Sequence, residues 1–359
     1  LTANQEGYVV ALIQAAGKIV NLVVSIFLIY IGAGVLFVKA VATGVYMLRL
    51  VLVKIYAKRK YPALDFYAEP NEGALKQKNA ALLHQVVGII VNNTDTTVLT
   101  ICLGAKSLLE VSVYGIYMMV VNAVNQLMTS FSNGLTAGFG EVIAKNEEET
   151  LKKSYSSYEY MYFVIMFIVI ACMGVLILPF VGVYTINLTD VQYVRPVLGI
   201  LFTLIVFMQN VRIPGLTIIC AAGHYKETRY QAILEAVINI TVSLGLVWKF
   251  GMAGVLLGTV CSYGYRSFEI VFYTSRHLVK GCAKKSMFRI LRNVFTVAIL
   301  CTVGTYVIPQ EITSFTTWFL YAIGMGLTSV FLVVVINYVV EPDEFMQLRH
   351  RVNDIIKKE

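Results

Sequence analysis

The sequence predicts an all-α integral membrane protein, on three observations. The 359 residues are 58% apolar and only 14% charged, against about 25% charged in ordinary soluble domains. Apolar runs follow one another at close to the ~20 residues needed to cross ~30 Å of hydrocarbon. The ~10-residue alternating segments of a membrane β-barrel are absent.

Ten candidate spans can be read between the charged and turn-rich breaks. A helix turns about 100° per residue, so positions three, four and seven apart share a face. The first span, 8–30, carries Gln14, Lys18, Asn21 and Ser25 within about 60° of arc. Gly32-Ala33-Gly34 separates it from the second, 33–56, whose Lys39 and Arg49 are long enough to snorkel to an interface. A basic linker, 57–79, follows, with Pro62, Pro70 and Gly73 as breakers. The third span, 80–103, contains VNNTD at 91–95, and Gln85, Gly88, Asn92 and Asp95 fall within about 80°. A carboxylate there costs roughly 2.5–3.5 kcal/mol on insertion scales. The fourth span, 110–136, has Asn122, Gln126, Thr129 and Asn133. Where the fifth, 157–180, leaves the cytoplasmic face, Tyr155, Tyr158, Tyr160 and Tyr162 are placed as an interfacial aromatic belt.

The sixth span, 196–222, offers Gln209, Asn210 and Arg212 just before Pro214. The seventh, 230–249, has Gln231, Glu235, Asn239 and Ser243. The eighth, 253–275, has Arg266 and Glu269, with Gly254 and Gly258 at the spacing of close helix packing. The ninth and tenth spans are 291–309 and 316–340. Polar groups facing lipid are expensive, so the stripes should face one another or a watered cavity. Asp95 reads either as an interhelical partner or as a proton or cation site. Glu235, about one turn from its helix end, reads as solvated or as coupling. Lys18 suits anion contact, and Arg212 adjoins a proline whose broken hydrogen bonds can face a ligand.

Lysine and arginine set the expected orientation. The linkers after even-numbered spans, the span ends there and the C-terminal tail hold 21 of the 29 basic residues; the other side has Lys106, Arg195 and Lys249, and five lie within spans. By the positive-inside rule both chain ends face the cytoplasm. The net charge of +8 therefore reflects topology and does not call for nucleic acid. Six scattered cysteines lack a C-x-x-C pair and four isolated histidines lack metal spacing. No phosphate-binding G-x-x-x-x-G-K-[ST] loop and no catalytic triad or carboxylate pair can be read. Asn187-Leu188-Thr189 matches a glycosylation acceptor, a tripeptide that often arises by chance. The reading is of a non-enzyme without a cofactor.

Four stretches carry a family resemblance: KRKYPALDF (58–66) with ALLHQVVGIIVNNTD (81–95); VSVYGIYMMVVNAV (111–124) with GLTAGFGEVIAKNEEE (134–149); VRIPGLTIICAAGHYKET (211–228); and EAVINITVSLGLVWKFGMAGVLLGTV (235–260). Together they resemble the Wzx-like lipid-linked oligosaccharide flippases, or polysaccharide biosynthesis proteins, of the MATE/MurJ-like (MOP) superfamily. Such proteins have fourteen helices in two lobes plus an extra C-terminal pair. The resemblance implies that residues 1–56 are the last two helices of the N-lobe, 57–79 the cytoplasmic inter-lobe linker and 80–276 a six-helix C-lobe. Residues 277–340 would be the extra pair and 341–359 a cytoplasmic tail. The first four helices would lie outside this sequence, as its start at Leu1 suggests.

The implied activity is alternating-access export of a polyprenyl-pyrophosphate-linked oligosaccharide across the plasma membrane, among membrane lipids and other polysaccharide-assembly proteins. Lys18, Arg212 and Arg266 would meet the pyrophosphate. Gln14, Asn21, Asn122 and Gln126 would line the sugar path, and Asp95, Asn92 and Glu235 would serve ion coupling. The rivals are a cation-coupled multidrug exporter of the same fold and, from another class, a membrane glycan polymerase or ligase. The latter would need catalytic residues, often in a large external loop, which the short linkers do not provide.

Overall fold

The computed structural model describes residues 7–62, 78–132, 135–309 and 312–346. Among these the chain is helical, without strands. Asn133 and most of the linker 57–79 and of the tail 341–359 lie outside the described residues. The chain divides into two compact units, Leu1–Leu75 and Lys76–Glu359.

The first unit is a helical pair, α1 (Gly7–Tyr30) and α2 (Val35–Lys60), joined through Gly32 at φ 78°. Gly17 leaves room for the Arg49 side chain, which a Cβ would strike. The Arg49 guanidinium lies over the Tyr46 ring, 4.8 Å from its centroid.

The second unit contains α3 (Lys78–Cys102), α4 (Ser107–Ser132), α5 (Leu135–Ala144), α6 (Glu148–Tyr184), α7 (Pro196–Val211), α8 (Ile213–Ala221), α9 (Arg229–Phe250), α10 (Met252–His277), α11 (Ala283–Val307) and α12 (Phe315–Val340). Among the described residues eight helical stretches are long and apolar enough to cross a membrane, which makes this an all-α membrane protein. Helices α3 and α10, of 25 and 26 residues, are not among the eight, because polar residues interrupt their apolar runs. They nevertheless pack along α9 and α4 or α7 as full-length members of the bundle. The expected fourth span falls on α4, described to Ser132, with α5 described from Leu135. At 37 residues, α6 is about 55 Å long and overhangs the ~30 Å core.

The expected sixth span is two helices. Pro214 has no amide hydrogen to give to the preceding turn, so α7 stops at Val211 and α8 restarts at Ile213, with Arg212 capping both. The carbonyl of Met208, one turn before this break, accepts from Ser267 Oγ at 2.6 Å. In contrast, α9 and α10 are joined by Gly251 alone, at φ 56° and ψ −133°, a backbone that a side chain would strain. Gly254 and Gly258 then let the two helices meet: a Cβ on Gly254 would overlap the Leu246 backbone, and one on Gly258 would overlap Ser243. The glycine spacing is therefore a packing seam.

The tyrosines of α6 are not an interfacial belt. Tyr155, Tyr158, Tyr160 and Tyr162 are buried. Three of the hydroxyls have protein partners: Tyr155 donates to Glu159 (3.1 Å), Tyr158 meets Thr217 (3.2 Å) and Tyr162 donates to Asn210 (2.9 Å). Nearby, a clasp ties α6, α11 and the end of α12 together. Arg289, 1% exposed, bonds Glu159 at 3.0 Å and Glu341 at 2.8 Å. Arg292 also bonds Glu341, at 2.8 Å, and Lys285 bonds Glu344 at 2.5 Å. Burial alone would push the Glu341 carboxyl up, but the hydrogen bonds and charge of Arg289, with those of Arg292, hold it below the usual range.

Gly258→Leu should wedge the α9–α10 seam, cost about 1–3 kcal/mol by overpacking and lower the melting temperature in detergent; unchanged melting would contradict the seam. Because Glu341 is held down in the fold, its contribution is present above the ordinary carboxylate range and fades as pH falls through it. Acidification from pH 7 should therefore lower the melting temperature more in the parent protein than in Glu341→Gln.

Candidate functional site

The polar stripes of the second unit meet in two adjoining cavities. The larger, about 260 Å3, is lined by His84, Gln85 and Gly88 of α3, by Tyr225 and Thr228 of the α8–α9 turn, and by Arg212, Glu235 and Arg266. The smaller, about 60 Å3, is lined by Asp95, Tyr114, Asn122, Asn125, Gln209 and Thr259. Val91, Asn92 and Tyr263 line both. Tyr263 forms the partition: its hydroxyl donates to Asn92 Oδ1 at 3.2 Å, and the Arg212 guanidinium covers its ring at 4.5 Å.

Asp95 is 4% exposed. Its Oδ1 accepts from Thr259 Oγ1 at 2.7 Å and its Oδ2 from Tyr114 Oη at 3.3 Å. Among the described residues no cation is paired with it. Its partners are hydroxyls, which soften the desolvation cost without cancelling the charge. A second shell of amides stands beside it: Asn125 donates to Gln209 (2.9 Å) and accepts from Asn210 (3.0 Å).

The larger cavity has the opposite electrostatics. Arg212 Nη1 bonds Glu235 Oε1 at 2.5 Å, Arg266 Nη1 bonds Glu269 Oε2 at 2.5 Å, and Arg266 Nε lies 3.5 Å from Glu235 Oε2. Two guanidinium groups and two carboxylates form an electroneutral quartet, linked in the order Arg212, Glu235, Arg266 and Glu269, across the α7–α8 break, α9 and α10. Arg212 and Arg266, expected as free cations for a diphosphate, are thus already held by carboxylates. Glu235 is buried and bridges the two arginines. Arg212 Nε and Glu269 Oε1 keep spare hydrogen-bonding capacity among the described residues. On the same side His84 Nε2 lies 3.0 Å from the Tyr225 carbonyl and 3.3 Å from Thr228 Oγ1.

Of the residues singled out from the sequence, Asn92, Asp95, Asn122, Arg212, Glu235 and Arg266 line these two cavities. Gln126 is exposed and lines neither. Below Glu235 the α9 stripe is interhelical glue: Asn239 donates to Thr259 (3.0 Å), and Ser243 donates to the Val255 carbonyl (3.1 Å). In the first unit Gln14 and Lys18 lie on the exposed face of α1, while the buried Asn21 Oδ1 has no hydrogen-bond partner among the described residues.

Tyr114, Thr259, Tyr263 and Asn125 were not read from the sequence as site residues. Tyrosine and threonine are common in apolar spans, so composition does not mark them. A helical wheel around Asn122 and Arg266 would have found two of them, since Asn125 is three residues from Asn122 and Tyr263 three from Arg266. Among the described residues no cluster of His, Cys, Asp or Glu fits a metal ion. No protein-family model matches the chain, and no curated protein is significantly similar to it.

Removing one member of the quartet strands another in an apolar setting, which typically costs 3–5 kcal/mol. Arg212→Ala should therefore destabilise the protein more than Arg212→Met combined with Glu235→Leu. A double-mutant cycle read by melting in detergent should show strong coupling, and additive losses would refute the pairing.

Proposed function

We propose that this chain works as an alternating-access exporter. Its cargo would be a polyprenyl-pyrophosphate-linked oligosaccharide, carried across the plasma membrane with both chain ends cytoplasmic. One observation supports this above others: polar side chains from five helices converge on two adjoining cavities inside an otherwise apolar bundle. Amides, hydroxyls and an aromatic ring are the groups that recognise a sugar, and water-lined polar surface is tolerated at membrane depth only where it faces a cavity. The sequence resemblance to Wzx-like flippases supplies the substrate class.

The quartet changes how the anion would be handled. A diphosphate arriving at the larger cavity would compete with Glu235 and Glu269 for the two arginines, and the released carboxylates would need new partners. Exchange of that kind favours two discrete arrangements over a continuum, as alternating access requires.

The rival reading, a cation-coupled multidrug exporter of the same fold, draws support from one observation. Asp95 is a buried carboxylate held by the hydroxyls of Thr259 and Tyr114 and paired with no described cation, which suits the uptake of a proton or small cation. Both readings use Asp95 for coupling and differ in cargo. Cells lacking the full-length gene should accumulate the lipid-linked oligosaccharide on the cytoplasmic leaflet and regain export on complementation. Loss of drug resistance with normal surface polysaccharide would support the rival instead. In vesicles, Asp95→Asn should lower gradient-driven export at least ~10-fold, since one charge crossing ~100 mV carries about 2.3 kcal/mol; unchanged gradient dependence removes Asp95 from this role.

A further inference from the structure

A further cavity lies at the other end of the second unit and belongs to neither chamber described above. It measures about 420 Å3 and is formed where the α3–α4 turn, the start of α7 and the α9–α10 turn come together. Its walls are mainly apolar, including Leu103, Val197, Phe250 and Met252, with Lys106, Glu110 and Arg195 at the polar side. The ends of membrane-crossing helices lie at headgroup level.

The distribution of charge there is unusual. Lys106, Arg195 and Lys249 are the three basic residues that the sequence allots to this end of the spans, and two of them line this cavity. Lys106 and Arg195 line it. Lys249 sits with its ammonium 5.4 Å from the ring centroid of Phe250, a lining residue. Arg195 is occupied by Glu110 in a two-pronged pair at 2.8 and 2.9 Å. The ammonium of Lys106 has no hydrogen bond or ion pair among the described residues. Asp190 of the neighbouring segment accepts from Tyr193 at 3.1 Å and does not line the cavity. The result is an apolar chamber with an excess of positive charge at its rim, on a face that is otherwise almost without cations.

We propose that this cavity seats an anionic phospholipid, with its phosphate at Lys106 and Lys249 and an acyl chain along Leu103, Val197, Phe250 and Met252. A zwitterionic lipid fits the apolar wall equally well but gains less from the ammonium groups. A soluble anion gains from the ammonium groups but leaves the wall exposed. The amphiphile satisfies both. The site is independent of the export reading, because lipid retention is measured without transport.

The test is native mass spectrometry of the full chain released from nanodiscs holding equal parts phosphatidylglycerol and phosphatidylcholine. The parent protein should retain phosphatidylglycerol preferentially. Each lysine removed, in Lys106→Ala and Lys249→Ala, should cut that preference about fivefold, the share of one interfacial cation. Lys106→Arg should keep it, Lys145→Ala at the opposite end should leave it unchanged, and Ala253→Trp should reduce retention of both lipids by filling the chamber. Equal retention of the two lipids by the parent, or an unaltered preference in the double lysine variant with parental melting, would overturn the proposal. Displacement of the lipid by inorganic phosphate would reassign the site to a free anion.

Discussion

Inside a bilayer a polar side chain has no bulk water to turn to, so its partner must be another part of the protein. The arginine–glutamate quartet is where this constraint governs the second unit most strongly. Glu235 can stay buried because Arg212 and Arg266 flank it, and Arg266 can stay buried because Glu269 takes its other prong. Arg212 occupies its place because Pro214 ends α7 and turns the chain there. One helix break, one seam of small residues and four charges are thus mutually dependent.

The two cavities divide the work between balance and imbalance. The quartet is neutral, so removing any one member from it has a high cost. Asp95, a short distance away across Tyr263, is held by hydroxyls and has no opposing charge among the described residues. A group of that kind can change its charge by taking up a proton or a small cation. Tyr263, which bonds Asn92 and carries Arg212 on its ring, is the physical link between the charged pair network and the lone carboxylate.

A second set of charges has a structural part. Arg289 draws in Glu159, Glu341 and Glu344, so α11 and α12 are fastened to α6 at one end. Further along, the α12 indole of Trp318 donates to the Leu176 carbonyl at 3.2 Å. The outer faces of these helices, such as Phe295, Phe319 and Phe331, are left exposed, as lipid contact requires. The pair is therefore bound to α6 by polar interactions and presented to the bilayer by apolar ones.

The sequence by itself determined the helical membrane class, most helix positions and the faces on which polar residues lie, because periodicity and hydropathy are local properties. It marked Asp95, Asn92, Asn122, Glu235, Arg212 and Arg266 for the same reason: a polar group in an apolar run stands out. It also flagged the seam at Gly254 and Gly258 and the disturbance at Pro214. Only the tertiary structure decided which polar group answers which. Arg212 and Glu235 are 23 residues apart, and Thr259 reaches Asp95 across 164. Periodicity has no term for such pairings, since they depend on how helices are placed against one another. Hence two arginines that read as open cations are closed in ion pairs, and four tyrosines that read as an interfacial belt are core residues. Composition gives the number of charges, and packing decides which of them remain unpaired.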